Sequence, residues 1–186
     1  MKLDIAFKEW ATICTALGTG RQSLILRKGG ISEVGGAFLP EHSSFWLYPT
    51  FFHQQIQRTR SLGNGFLPLL QAPNPGWVPI QYLAEVQQIF YCKDLDRLLE
   101  LKEFYFWTTQ TVEERFNYRC QGLYLLLTRI KRLPEPILIS EEPEYAGCKS
   151  WVTLKDKIVI ERTSNVLSDE EYHPVAARIS EVLGRS

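Results

Sequence analysis

Apolar and polar positions along the chain fall into segments of two periods. Phe7, Trp10, Ala11, Cys14 and Leu17 recur at helical spacing, and Gly18 with Gly20 supplies a stop, so this pattern predicts a first helix. Gln22 to Arg27 has the apolar centre Leu24-Ile25-Leu26 and reads as a buried strand ending in the turn Lys28-Gly29-Gly30. Phe45 to Tyr48 reads as a second strand, with Phe45 and Leu47 on one face and Trp46 and Tyr48 on the other. The two strands are close enough in sequence to pair as a loose hairpin. Pro49 then stops the strand, and Thr50 is placed to cap a helix from about Phe51 to Arg60.

Residues 61–79 carry Gly63-Asn64-Gly65 and four prolines, so they read as a loop, pinned across the domain by Phe66, Leu67, Leu69, Leu70 and Trp77. Ile80 to Cys92 alternates most clearly and predicts the strongest strand. Asp94 caps a short helix carrying Leu95, Leu98 and Leu99, and Thr111-Val112-Glu113-Glu114 has the spacing of a capping box for a helix to about Arg119. Leu123 to Leu133 predicts a strand stopped by Pro134 and Pro136. Short strands follow at Ile137–Ile139, Trp151–Leu154 and Lys157–Glu161. The last helix is expected to begin near Pro174, a favoured first position, and to end at Gly184.

Strands and helices alternate irregularly, and several strand-to-strand links are short. The expected architecture is therefore α+β, a mixed or mainly antiparallel sheet with peripheral helices. A small, partly closed β-barrel with helices is the alternative. Residues 1–186 are expected to form one domain, with the Pro/Gly-rich loop at 61–79.

Composition narrows the function classes. The apolar and charged fractions, 45% and 23%, are those of an ordinary globular chain. Lys plus Arg equals Asp plus Glu, 21 of each, which argues against a sequence-independent DNA binder relying on excess positive charge. Zero net charge also permits a homodimer. The N-terminus shows no export signal and no segment is apolar enough to span a membrane, so a cytoplasmic location is expected. The four cysteines, Cys14, Cys92, Cys120 and Cys148, form no C-x-x-C pair and are expected to be reduced and mostly buried. Neither they nor the histidines have zinc-type spacing, so no metal and no cofactor is expected.

The candidate chemistry is concentrated at strand ends. His53 follows a strand-to-helix junction and is the candidate general base, with Cys148 or a water as nucleophile. Cys148 neighbours Lys149, which can lower a thiol pKa. A backbone-bonded histidine and a structural thiol are the competing readings. Arg27 and Lys28, before Gly29-Gly30, could present cations and backbone amides to an anion. Arg58 and Arg60, with Arg119, Arg129, Lys131 and Arg132, could add a positive stripe beside exposed aromatics. Asp94 with Glu100-Leu101-Lys102 superficially resembles a nuclease set. Both acids, however, lie on one leucine-patterned helix, which rejects it.

Four stretches carry a resemblance over nearly the whole chain: Lys8-Glu9-Trp10-Ala11, Leu24 to Ile31, Tyr48-Pro49-Thr50 with His53-Gln54, and Tyr145 to Trp151. They resemble a bacterial domain-of-unknown-function family, number 1802. The resemblance implies a prokaryotic cytoplasmic protein, loosely linked to restriction-modification systems through domains found beside some members. The expected function is binding of an anionic ligand, nucleic acid or nucleotide, in a cleft lined by Arg27, Lys28, Trp46, Tyr48, His53, Arg58, Lys149 and Trp151. A hydrolase or transferase using His53 as base, and a protein-protein interaction scaffold, are the alternatives.

Overall fold

The computed structural model describes residues 1–28, 33–34, 37–38, 42–51, 56–61, 75–147 and 149–184. The chain opens with strand β1 (Lys2–Trp10), which runs directly into helix α1 (Ala11–Gly18). The helical spacing of Phe7 and Trp10 is therefore misleading. Ala6 lies in one core and Phe7 in another, so β1 alternates between two buried faces. A strand buried on both sides has no polar face to reveal its period.

After β2 (Leu24–Arg27) come two short paired segments, β3 (Glu33–Val34) and β4 (Ala37–Phe38), and then β5 (Ser44–Thr50). The long strands β6 (Trp77–Cys92) and β7 (Leu123–Ser140) flank α2 (Leu95–Glu100) and α3 (Thr109–Asn117). Strand β8 (Trp151–Val159), the two-residue β9 (Ser164–Asn165) and α4 (Asp169–Leu183) complete the chain.

Among the described residues the main sheet has seven strands in the order β2-β7-β6-β5-β1-β8, with β9 paired to β7. The β1–β5 ladder is parallel and the others are antiparallel. The fold is α+β. The sheet does not close, and this removes the barrel alternative: β2 and β8 are its two ends, with no ladder between them. They nonetheless come within one side chain's reach, because Arg27 at the end of β2 donates from Nη2 to Ser150 Oγ at 2.6 Å, one residue before β8. The expected β2–β5 hairpin does not form. β2 pairs with β7, and β5 lies between β1 and β6.

The two faces of β5 separate as its alternation predicts. Phe45 and Leu47 join the larger core, to which α1, α2, α3 and α4 all contribute. Trp46 and Tyr48 join a second core made by strands and Tyr145. Leu24, Ile25 and Leu26 are fully buried, and each such side chain stabilises by about 1.5–3 kcal/mol.

Several element boundaries differ from expectation for local reasons. Pro134 and Pro136 do not end β7. They fall in a large bulge, where Ile80 pairs with Ile137 and Tyr82 with Arg132, so the prolines carry no ladder bond to β6. A similar irregularity lets β8 run continuously past Asp156, opposite the Leu3/Ile5 shift in β1. Pro49 and Thr50 belong to β5, and Pro79 belongs to β6. Of the helix expected after Phe51, residues 52–55 lie outside the described residues and Ile56–Arg58 form a 3-10 turn. Most of the 61–79 loop lies outside them too. Helix α3 is capped by Thr108 rather than Thr111, with Thr111 N donating to Thr108 Oγ1 at 3.3 Å. Helix α4 starts five residues before Pro174, at a reciprocal capping box of Ser168 and Glu171.

Cys14 and Cys92 are buried thiols, as expected, but Cys120 is exposed and Cys148 lies outside the described residues. Burial and the nearby Glu9 carboxylate push the Cys14 thiol well above its ordinary value, so it is inert as a nucleophile. Among the described residues no helix is long and apolar enough to cross a membrane.

Candidate functional site

One buried carboxylate and two half-buried guanidiniums lie around the C-terminal end of β1. Strand alternation places Ile5, Phe7 and Glu9 on one face. Phe7 is core, Ile5 is half-buried against it, and Glu9 is only 4% exposed. Glu9 Oε1 accepts from Trp10 N at 2.8 Å, and the Glu9 carbonyl accepts from Thr50 Oγ1 at 3.2 Å. Its other carboxylate oxygen, Oε2, is buried without a hydrogen-bond partner among the described residues.

Two guanidinium groups share this region. Arg27 reaches over the Phe7 ring, 4.8 Å from its centroid, to bond Ser150. Its Nε is buried with no acceptor among the described residues. Arg115, on α3, lies 3.7 Å from the Trp107 ring centroid, close enough to stack, and 6.0 Å from that of Trp10. Trp10 and Trp107 meet edge to face at 4.8 Å. Trp107 is held in turn by backbone bonds on either side, from Arg60 N to Phe106 O at 2.8 Å and from Thr108 N to Arg58 O at 3.0 Å.

Electrostatics tie these groups together. Burial lowers the Arg27 pKa from its ordinary value, and the Glu9 charge offsets part of that. Burial also lowers Arg115, again opposed by Glu9 and reinforced by repulsion from Arg27 and Arg58. Arginine remains charged at neutral pH regardless. A cation whose folded pKa lies below its unfolded value costs stability at every pH below that folded value. Among the described residues the site therefore sets two half-buried cations against one buried carboxylate, at a cost to the folded state across the neutral range.

Trp151 forms an aromatic wall beside Arg27. Its ring meets Phe7 at 4.8 Å, Phe45 at 5.0 Å and His42 at 5.2 Å, and its Nε1 is buried without an acceptor among the described residues. Arg58 pairs with Glu114 at 3.0 Å and acts on Arg115 electrostatically.

Of the residues singled out from sequence, the structure brings Arg27 and Trp151 to one place through Phe7 and Ser150, with Arg58 coupled to it through Arg115. Lys149 is exposed beside Ser150. Lys28 is engaged elsewhere, with Nζ donating to the carbonyls of Phe116 at 2.8 Å, Gly122 at 2.9 Å and Cys120. Trp46 is fully buried, with Nε1 donating to Leu3 O at 3.1 Å. Tyr48 is buried in the same second core, where desolvation raises its phenol pKa. His53 and Cys148 lie outside the described residues. The basic stripe is neutralised in part, since Lys131 pairs with Glu85 at 2.7 Å and Arg129 with Asp169.

Sequence reasoning missed Glu9, Arg115, Trp10 and Trp107. A signal existed for Glu9, an acid at the third position of the alternating series Ile5-Phe7-Glu9, but it is visible only once the segment is read as a strand. Among the described residues no group of three or more His, Cys, Asp or Glu side chains is placed to hold a metal.

Comparison with known proteins gives similar solved structures and a family. A crystal structure of ASCH from Zymomonas mobilis is similar over 93% of both chains, at 15% identity and a TM-score of 0.49. A point mutant of that protein is similar over 94% of both, at 13% identity and a TM-score of 0.48. No curated protein matches the chain. The family model described as Domain of unknown function (DUF1802) matches residues 6–178, and the chain belongs to that family.

Proposed function

We propose that the protein binds an anionic ligand at Arg27 and Arg115, and that the ligand is a nucleotide or part of a nucleic acid. The observation that carries this is the charge imbalance around the end of β1. Two guanidiniums are desolvated against a single carboxylate, and one of them keeps an N–H donor without an acceptor among the described residues. A phosphate supplies both the missing charge and the missing acceptors, and guanidinium is the side chain best matched to it. The half-buried indole rings of Trp10 and Trp151 supply apolar walls that suit a base.

Calorimetric titration of thymidine monophosphate at low salt tests this. The wild type is expected to bind, and Arg115→Gln to weaken binding by roughly ten- to a hundredfold, the loss of about 1.5–3 kcal/mol from one charged hydrogen-bonding group. Equal binding by both proteins, or none by the wild type at millimolar ligand, contradicts the assignment.

A hydrolytic reading draws on a different observation, the buried Glu9 oxygen with no partner among the described residues. A carboxylate held in that way suits a general base, in the role that sequence reasoning gave to His53 with Cys148 as nucleophile. Nucleotide turned over by the wild type and by Cys148→Ala, but not by Glu9→Gln, would favour this version over a binding domain.

A further inference from the structure

The row of residues that carries Arg27 continues across the sheet. Arg27 stands opposite Tyr124 in β7, and Tyr124 stands opposite Tyr91 in β6. Residues directly opposite in antiparallel strands project from the same face. Two strand spacings, about 10 Å, therefore lead from Arg27 to Tyr91. The Tyr91 and Tyr124 rings lie 4.5 Å apart, tilted at 34° to each other.

This end of the row is open to solvent. Tyr91 is 44% exposed, and Tyr118, on the loop that Tyr91 contacts, is 56% exposed. Each ring carries a cation, Lys93 Nζ at 5.6 Å from the Tyr91 centroid and the Arg119 guanidinium at 5.1 Å from that of Tyr118. Neither cation has a carboxylate partner among the described residues. The loop that carries Tyr118 and Arg119 is tied to the sheet. Lys28 holds the carbonyls of Phe116, Cys120 and Gly122, and Tyr91 Oη donates to Gln121 O at 3.1 Å. Gly122 has φ +123°, and a Cβ there would lie 2.6 Å from Tyr91 Oη, so the close approach of ring to loop requires glycine. Arg119 itself sits at φ 63°, an uncommon conformation for a residue with a side chain.

We infer that Tyr91, Tyr118, Lys93 and Arg119 form a stacking platform for single-stranded nucleic acid, so that the occupant of the arginine pocket is one nucleotide of a strand. This rests on the anion-binding reading of Arg27 and Arg115 and extends it. Exposed rings alternating with cations that lack acidic partners match a chain of flat bases joined by phosphates. An acidic peptide would satisfy the cations and leave the rings unstacked. Lys28 acts in this scheme as a positioning residue, holding the loop without touching the strand.

The test compares two ligands on two proteins. Fluorescence anisotropy follows a labelled oligothymidylate of about ten nucleotides, within the site sizes usual for one binding domain. Calorimetry follows thymidine monophosphate. The variant is Lys93→Ala with Tyr118→Ala, both exposed, so the fold is preserved. The oligonucleotide is expected to bind the wild type at least tenfold more tightly than the mononucleotide. The variant should lose about tenfold or more for the oligonucleotide, the loss of one base–aromatic stack and one cation, with mononucleotide affinity unchanged. Mononucleotide binding with no gain for the oligonucleotide, or an oligonucleotide affinity unaltered in the variant, overturns the platform and leaves the pocket standing. If neither ligand binds the wild type, the pocket assignment itself fails and the platform falls with it.

Discussion

Replacing Glu9 with glutamine is expected to destabilise the free protein by about 3 kcal/mol, and added phosphate should recover much of that loss. The substitution keeps the side chain's length and the acceptor for Trp10 N, so the packing is little changed. What disappears is the one buried negative charge that offsets the desolvation of Arg27 and Arg115. Breaking a buried ion pair outright costs about 3–5 kcal/mol, and Glu9, which acts on the two guanidiniums through its field, belongs at the low end of that range. In a chain of this size that corresponds to a fall in Tm of roughly 10 °C. The same change should tighten phosphate binding, since the ligand no longer shares the pocket with a carboxylate. Thermal unfolding of Glu9→Gln with and without millimolar phosphate measures both effects. An unchanged Tm in the absence of phosphate would show that the three charges are not balanced as described.

Trp107→Ala should have an effect of similar size on stability by another route. Trp107 is 1% exposed and is among the largest fully buried side chains. Its indole N–H has no partner among the described residues, so no hydrogen bond is lost with it. The cost is a cavity beside Trp10 together with the loss of the surface on which Arg115 stacks. Large-to-small changes of this kind cost about 3–5 kcal/mol. The backbone bonds at Arg60–Phe106 and Thr108–Arg58 do not depend on the side chain and should hold the segment in place. The damage should therefore be local: chemical denaturation shows the loss with an unchanged m-value, while nucleotide affinity falls along with the order of Arg115. A loss of stability under 1 kcal/mol would mean that the neighbouring rings close the gap and Arg115 needs no platform.

The fold was legible where local periodicity or a capping residue marks the element. The strand Ile80–Cys92 and the two faces of Phe45–Tyr48 read directly from alternation, and Asp94 marked the start of α2, where its Oδ1 accepts from Arg97 N at 3.2 Å. Reading failed where the usual local signal was overridden. β1 is buried on both faces, so its apolar positions imitate a helix. The prolines of β7 fall in a bulge that needs no donor there, and Pro174 sits inside a helix already started by Ser168 and Glu171. The β2–β5 hairpin was a proximity argument, and proximity cannot show that two other strands satisfy the same edges.

The site was legible in its chemistry more than in its membership. Arg27 and Trp151 were identifiable because a cation at a strand end and an aromatic beside a glycine turn are visible locally. Glu9 and Arg115 were not, because their roles come from long-range packing. Glu9 became a charge balance only through its neighbours across the sheet, and Arg115 was hidden in a helix that advertised its capping residues. Lys28 read as a free cation, whereas three carbonyls from the end of α3 and the loop after it, about 90 residues away, engage its ammonium.

Arginine side-chain NMR tests the central claim most directly. The buried Arg27 Nε–H, shielded from solvent and without an acceptor among the described residues, should give a slowly exchanging resonance that Arg27→Lys removes. Addition of thymidine monophosphate should shift that resonance downfield as phosphate oxygen accepts the proton, with the Arg115 signal moving at the same ligand concentrations. Resonances that stay in place for both arginines at saturating millimolar nucleotide would contradict an anion-binding pocket built on Arg27 and Arg115.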